Sequence, residues 1–275
     1  MPAIAMAYLA EEIHPGSIGL AMGLSIGGNG LGGMLGRLIT SWLTELVSWR
    51  FAVGAIGLLG LVAAVIFWRT LPPSRCFTPR PVRRAALARS FWTPLRQPRL
   101  VALFAEGFLL MGAFGTSYNY ITYHLIARPY GLSEAGVGTI FSVYLIGIAS
   151  SAWIGSLADR LRRDRMLILM LLAMLIGIGL TLARPLPLVI LGIAVVTFGF
   201  FGGHSVASSW VGLRASAAKA QASALYLFFY YIGLSVAGTI GGVFWQHWEW
   251  RGVAGFVAAL VAAGLVIAVL AVGEG

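Results

Sequence analysis

Eight stretches of the sequence stay apolar for long enough to cross a bilayer, which takes about 20 largely apolar residues in a helix. They are Ser17–Leu43, Phe51–Trp68, Leu100–Tyr123, Gly136–Leu157, Met166–Ala183, Leu188–Gly212, Ala222–Phe244 and Val253–Val272. A ninth apolar piece, Met1–Ala10, is too short to span and reads as the end of a helix. It has no positive leading region and runs into Glu11 and Glu12, so it is not a signal peptide. The loop Leu71–Pro98 divides the chain. Pro72, Pro73, Pro79, Pro81, Pro94 and Pro98 exclude a span there. Within it, Val82–Trp92 sets Arg83, Arg84 and Arg89 beside Leu87, Phe91 and Trp92, which suits either a short basic helix on anionic lipid or a solvated linker.

Composition narrows the class. Hydrophobic residues make up 59% of the 275 and charged residues only 10%. Soluble domains carry about 25% charged residues. A soluble enzyme, a disulfide scaffold and a disordered chain are therefore excluded, and the expected fold is an all-α, multi-pass membrane protein. The net charge of +10 lies in the connections. Eight arginines fall between Arg69 and Arg99 and four between Arg160 and Arg165. With Arg214 and Lys219, fourteen of the nineteen basic residues share one side when the spans alternate. Arg50, Arg128, Arg184 and Arg251 take the other side, and Arg37 falls inside a span. This asymmetry puts the arginine-rich loop in the cytoplasm and argues against a nucleic-acid partner. The single cysteine, Cys76, permits no internal disulfide.

Small residues recur at four-residue spacing on Gly19, Gly23, Gly27, on Gly28, Gly32, Gly36, on Gly147, Ser151, Gly155, and on Gly233, Ala237, Gly241. Such faces let helix backbones approach closely in lipid. Gly28 to Gly33 also fits G-x-G-x-x-G, but inside a span it lacks the strand and turn that dinucleotide binding needs. Ile26–Arg50 repeats the pattern of Ile232–Arg251, with Gly32 matching Gly238 and Gly36 matching Gly242. Same-orientation repeats are a transporter architecture.

The segment Gly155-Ser-Leu-Ala-Asp159-Arg160-Leu-Arg-Arg163-Asp-Arg165 resembles the G-x-L-a-D-r-x-g-r-r/k signature of the major facilitator superfamily, in the copy between helices eight and nine. It departs at Arg162 and Asp164. The first complete span resembles the helix-five antiporter signature at Gly19, Gly28, Gly32 and Gly36, with Gly33 in place of its proline and Arg37 in place of its last glycine. Gly107–Gly112, Tyr118–Tyr120 and Ser223–Tyr231 add a likeness to the YnfM-type, twelve-helix drug:proton antiporter branch. The resemblance implies two six-helix bundles, with the spans here being helices five to twelve and Met1–Ala10 the tail of helix four. Helices one to three and most of four would then be missing. Residues 1–70 would be a remnant of the first bundle, 71–98 a cytoplasmic linker, and 99–275 the complete second bundle. It further implies that Gly155, Asp159, Arg160 and Arg163 belong to a charge network latching the two halves on the cytoplasmic side of the inner membrane.

Polar residues at membrane depth are functional candidates. Helices seven and ten line the cavity in this superfamily. Glu106 lies about 9 Å and His204 about 10 Å from the cytoplasmic ends of those spans, at 1.5 Å per residue. An acid and an imidazole at matched depth suit proton coupling. The alternatives are a Glu106 that snorkels to the interface and a His204 bonded to a carbonyl. Tyr118, Asn119, Tyr120, Tyr226 and Tyr230, with Tyr231, are candidates for a substrate cavity suited to amphipathic or cationic ligands, or for packing and interfacial anchoring. Arg37 is either an ion-pair or substrate contact or an interfacial arginine. The function expected is proton-coupled efflux of a small molecule, by a protein monomeric at full length. The alternatives are a symporter or uniporter for a metabolite, a non-transporting receptor, and an intramembrane protease suggested by His204 and Ser205. Adjacent helix positions point about 100° apart, which disfavours a nucleophile and base there. Lipid, substrate and protons are the expected partners, with no cofactor and no metal.

Overall fold

A computed structural model describes residues 2–75, 84–215 and 218–272. The side chains of residues 2, 37, 38, 41, 42, 44, 45, 84–89, 134, 135, 141, 271 and 272 lie outside that description, and so does Cys76. Every regular element among the described residues is helical. In chain order they are α1 (Pro2–Glu12), α2 (Ile18–Leu46), α3 (Trp49–Thr70), α4 (Arg84–Leu95), α5 (Pro98–Ile126), α6 (Glu134–Ile140), α7 (Tyr144–Arg160), α8 (Arg163–Leu180), α9 (Leu186–Arg214) and α10 (Lys219–Ile267).

Six helical stretches among the described residues have the length and composition to cross a membrane. The difference from eight has two causes. Arg163, Asp164 and Arg165 head α8 and leave its apolar part short. The seventh and eighth runs are one stretch, Lys219–Leu270, of 52 residues. That stretch does not run straight. Glu249 adopts φ 51°, ψ −143°, and the rings of Phe244 and Phe256 stack at 4.7 Å. Twelve helical residues would hold those rings about 18 Å apart in a straight helix, so α10 folds back into two arms. The fourth run is likewise interrupted, with a tighter turn at Phe141–Val143 between α6 and α7.

Contacts sort the helix ends into two faces. At one end meet the C-termini of α1, α7 and α9 and the N-termini of α2, α8 and α10, with Asp159, Arg163 and Lys219. At the other, Trp250 donates to the Thr181 carbonyl at 3.2 Å, Tyr130 donates to the Ala183 and Arg184 carbonyls, and His124 stacks on Trp250. The basic connections of the described chain gather at the first face.

Burial is uneven. α5 and α9 are buried along most of their length, and Leu103, Val189, Val206 and Val211 are fully enclosed. α3 buries only Ala52 and presents Val53, Leu58, Leu61, Val62, Ile66 and Phe67 outward. Such a surface is stable only against an apolar solvent or another apolar face.

Candidate functional site

Two groups of residues stand out, one at the basic face and one inside the bundle.

At the basic face α2 crosses α7 through small residues. A Cβ on Gly19 would lie 2.2 Å from the Gly155 carbonyl oxygen, and one on Gly23 would lie 2.0 Å from that of Ser151. Only glycine permits these approaches. The Ser151 hydroxyl donates to the Gly23 carbonyl at 2.8 Å. Ser17, the residue preceding α2, makes no side-chain cap bond. Asp159 supplies that cap from α7: its carboxylate accepts the N–H groups of Gly19 at 2.8 Å and Leu20 at 3.0 Å. These are the second and third helical positions, where an N-cap side chain normally acts. Arg163 donates to the same carboxylate at 2.9 Å, and Arg160 is exposed. The two departures from the signature pair with one another, since Arg162 donates to Asp164 at 2.7 and 3.1 Å.

The four glycines of the helix-five pattern separate. Gly19 makes the close crossing, whereas a Cβ at Gly28, Gly32 or Gly36 would meet nothing within 4 Å. Gly27, with its Cβ position 3.0 Å from the Ser151 hydroxyl, takes the place on the contacting face that spacing alone does not choose. The side chain of Arg37 lies outside the described residues.

Inside the bundle, α5, α7, α9 and α10 converge on an aromatic cluster. Phe114 stacks on Phe200 at 3.8 Å and lies 4.5 Å from Tyr118. Tyr144 packs edge-on to Tyr118 and Phe201. His204 stacks with Tyr230 at 4.6 Å and shares a 2.7 Å hydrogen bond between its Nδ1 and the Tyr226 hydroxyl. The histidine thus has a side-chain partner, not a carbonyl. Tyr226 is fully buried, so it stands behind any cavity wall. Its ring rests where a Cβ on Gly107 would be, 2.8 Å away.

The successive candidates on α5 diverge. The hydroxyls of Tyr118 and Thr197 share a 2.5 Å hydrogen bond. Asn119 is exposed. Tyr120 donates to the Gly238 carbonyl at 2.9 Å and stacks on Trp245. Glu106 does not reach an interface: it is 0% exposed. Neither carboxyl oxygen has a hydrogen-bond partner. One oxygen lies 3.1 Å from the Cβ position of Gly264, near Leu171, so Glu106 faces α8 and the second arm of α10. Among the described residues no cluster of His, Cys, Asp and Glu has the arrangement of a metal site.

Comparison with known proteins places this arrangement in context. The family model of the Major Facilitator Superfamily matches residues 1–125 and again 107–274. The chain is 51% identical over 257 residues to the uncharacterized MFS-type transporter YybF of Bacillus subtilis, covering 94% of this chain and 64% of that protein. It is 46% identical over 265 residues to the inner membrane transport protein YnfM of Escherichia coli, covering 96% and 64%. The chain therefore spans just under two thirds of the length of these relatives. In fold it is similar to the crystal structure of the human organic anion transporter MFSD10, with a TM-score of 0.69, 17% identity, and coverage of 97% and 67%.

Proposed function

The chain belongs to the Major Facilitator Superfamily, and we propose that it acts in proton-coupled export of a small amphipathic molecule across the inner membrane. The mechanism is alternating access, with residues 1–70 and 99–275 contributing to two bundles that rock about a midplane site. The basic face is cytoplasmic, by the excess of fourteen basic residues over four.

The observation that carries the proton reading is Glu106. A carboxyl group enclosed without a hydrogen-bond donor is costly as an anion, so it suits a group that binds and releases a proton. Tyr226 joins the two parts of the site, lying against Gly107 on one side and bonded to His204 on the other. Beyond it, the part-buried Tyr118, Tyr144 and Tyr230 supply rings with polar tips around the apolar Phe200, a combination suited to a flat amphipathic ligand. In the conformation described, α2 and α7 touch at Gly19, Gly23 and Gly27, and nothing meets Gly32, Gly33 or Gly36 further along. This supports a state closed at the basic face.

Proteoliposomes of the full protein, loaded with the fluorescent cation ethidium under an imposed pH gradient, test the reading. Ethidium should move opposite to the protons. Glu106→Gln should abolish gradient-driven movement while ethidium still binds. Wild-type movement by Glu106→Gln, with unchanged pH dependence, removes Glu106 from coupling. Movement alongside the protons identifies a symporter.

A further inference from the structure

The elbow between α1 and α2, residues 12–18, is gripped from two sides by charges of opposite sign. On the α2 side sits the Asp159 carboxylate, bonded to the first free N–H groups of that helix. On the α1 side sits Lys219, whose ammonium donates to the Ala10 carbonyl at 2.5 Å. That carbonyl lies in the last turn of α1, among those a helix leaves without an intrahelical donor. An anion at a helix N-terminus and a cation at a helix C-terminus both complement the helix dipole. Each charge here complements a helix far from it in sequence.

Lys219 is also the only lysine in the sequence, against eighteen arginines. It is the first residue of α10, where a cation opposes the dipole of its own helix, so its position has no local justification. The packing around the contact is tight. A Cβ on Gly212, at the end of α9, would lie 2.9 Å from Ala10 Cβ and 3.2 Å from Ile18 Cδ1. Ala10 and Ile18 are both buried. The ammonium's bond to the carbonyl is part-buried beside this seam, where a charge is less screened than at an open surface.

We infer that Lys219 is a positioning residue of the gate: with Asp159 it forms a two-charge clamp that holds the α1–α2 elbow against α7, α9 and α10. Opening at this face requires both contacts to part, and with Lys219 neutral only one of the two charged contacts, that of Asp159, remains to oppose the motion. This inference rests on the alternating-access reading.

Double electron–electron resonance tests the clamp without substrate. Spin labels go on Gly16→Cys and Ala220→Cys, at exposed positions either side of the seam, in the full protein with Cys76 and any other native cysteine replaced by serine. The native background should give one short-distance population. Lys219→Gln should add a longer one, Lys219→Arg should restore the short one, and Asp159→Asn combined with Lys219→Gln should shift the balance further. Lys219→Met keeps the aliphatic stem and loses only the charged donor, which guards against a folding defect in the first variant. A label pair on Leu161→Cys and Leu182→Cys, at the two ends of α8, should stay unchanged throughout. Distance distributions for Lys219→Gln and Lys219→Met identical to the native one would overturn the clamp. Proton-driven ethidium movement reads the transport reaction separately, so failure of either leaves the other standing or fallen on its own result.

Discussion

Asp159 Oδ1 accepts a hydrogen bond from the backbone N–H of Gly19 at 2.8 Å, across 140 residues of sequence. The bond exists because Gly19 has no side chain: a Cβ there would lie 2.7 Å from that same oxygen. The glycine and the aspartate are thus one device, in which the crossing of α2 over α7 brings a carboxylate to a helix end that its own preceding serine leaves uncapped.

Removing the carboxylate should loosen the basic face. Asp159→Ala leaves two N–H groups of α2 and the Arg163 guanidinium without their acceptor. Loss of a cap costs about 0.5–2 kcal/mol, and the value here should sit at the upper end because the side chain is only 4% exposed. Thermal unfolding in detergent micelles should show a lowered midpoint, with Asp159→Asn intermediate between native and alanine.

Glycines on the two faces of α2 should respond in opposite directions. Gly19→Ala and Gly23→Ala force backbone atoms apart, and overpacking of this kind costs about 1–3 kcal/mol. Gly32→Ala and Gly36→Ala meet open space and remove a glycine from a helix interior, a change that favours the helix by up to about 1 kcal/mol. Unfolding midpoints of the four single variants, measured in parallel, check the split.

The buried pair Tyr226 and His204 should behave as a satisfied hydrogen bond. Tyr226→Phe keeps the ring and strips the hydroxyl, leaving a buried ring nitrogen without its partner. The expected cost is about 1–3 kcal/mol. Gly107→Ala should be worse than Tyr226→Phe, since its new methyl would lie 2.8 Å from the ring. Loss of ordered near-ultraviolet dichroism at a lower temperature would register both.

Sidedness follows from the same account. A membrane-impermeant thiol reagent applied to intact cells should label Glu249→Cys and spare Arg162→Cys. The reverse pattern would invert the assignment of the basic face.

Much of this was legible in the sequence. The apolar runs mark the long helices, because lipid tolerates few interruptions, but they do not show that charged residues head α8 or that the last two runs join in one stretch folded back at Glu249. The glycine spacing correctly marks α2 and α7 as helices that approach closely. What spacing cannot convey is which face meets which neighbour. Gly28, Gly32 and Gly36 repeat as regularly as Gly19, Gly23 and Gly27, yet only the second set touches α7. Tyr226 reads like its neighbour Tyr230, and a four-residue offset does not say that one is fully enclosed and the other partly open. Arg162 and Asp164 look like two losses from a signature when taken singly, and become one ion pair only when the turn brings them together. Lys219 registers in the sequence as one more positive charge, because its partner is a backbone carbonyl 209 residues away.

The separation of α2 from α7 during each cycle is the central claim, and one cross-link tests it. The Cβ position of Gly27 lies 3.0 Å from Ser151 Oγ, which brings Gly27→Cys and Ser151→Cys within reach of oxidative cross-linking. With Cys76 and any other native cysteine replaced by serine, the oxidised full protein in proteoliposomes should lose gradient-driven ethidium movement, and dithiothreitol should restore it. Undiminished movement by the oxidised protein, with the cross-link verified by mass spectrometry, would contradict the account.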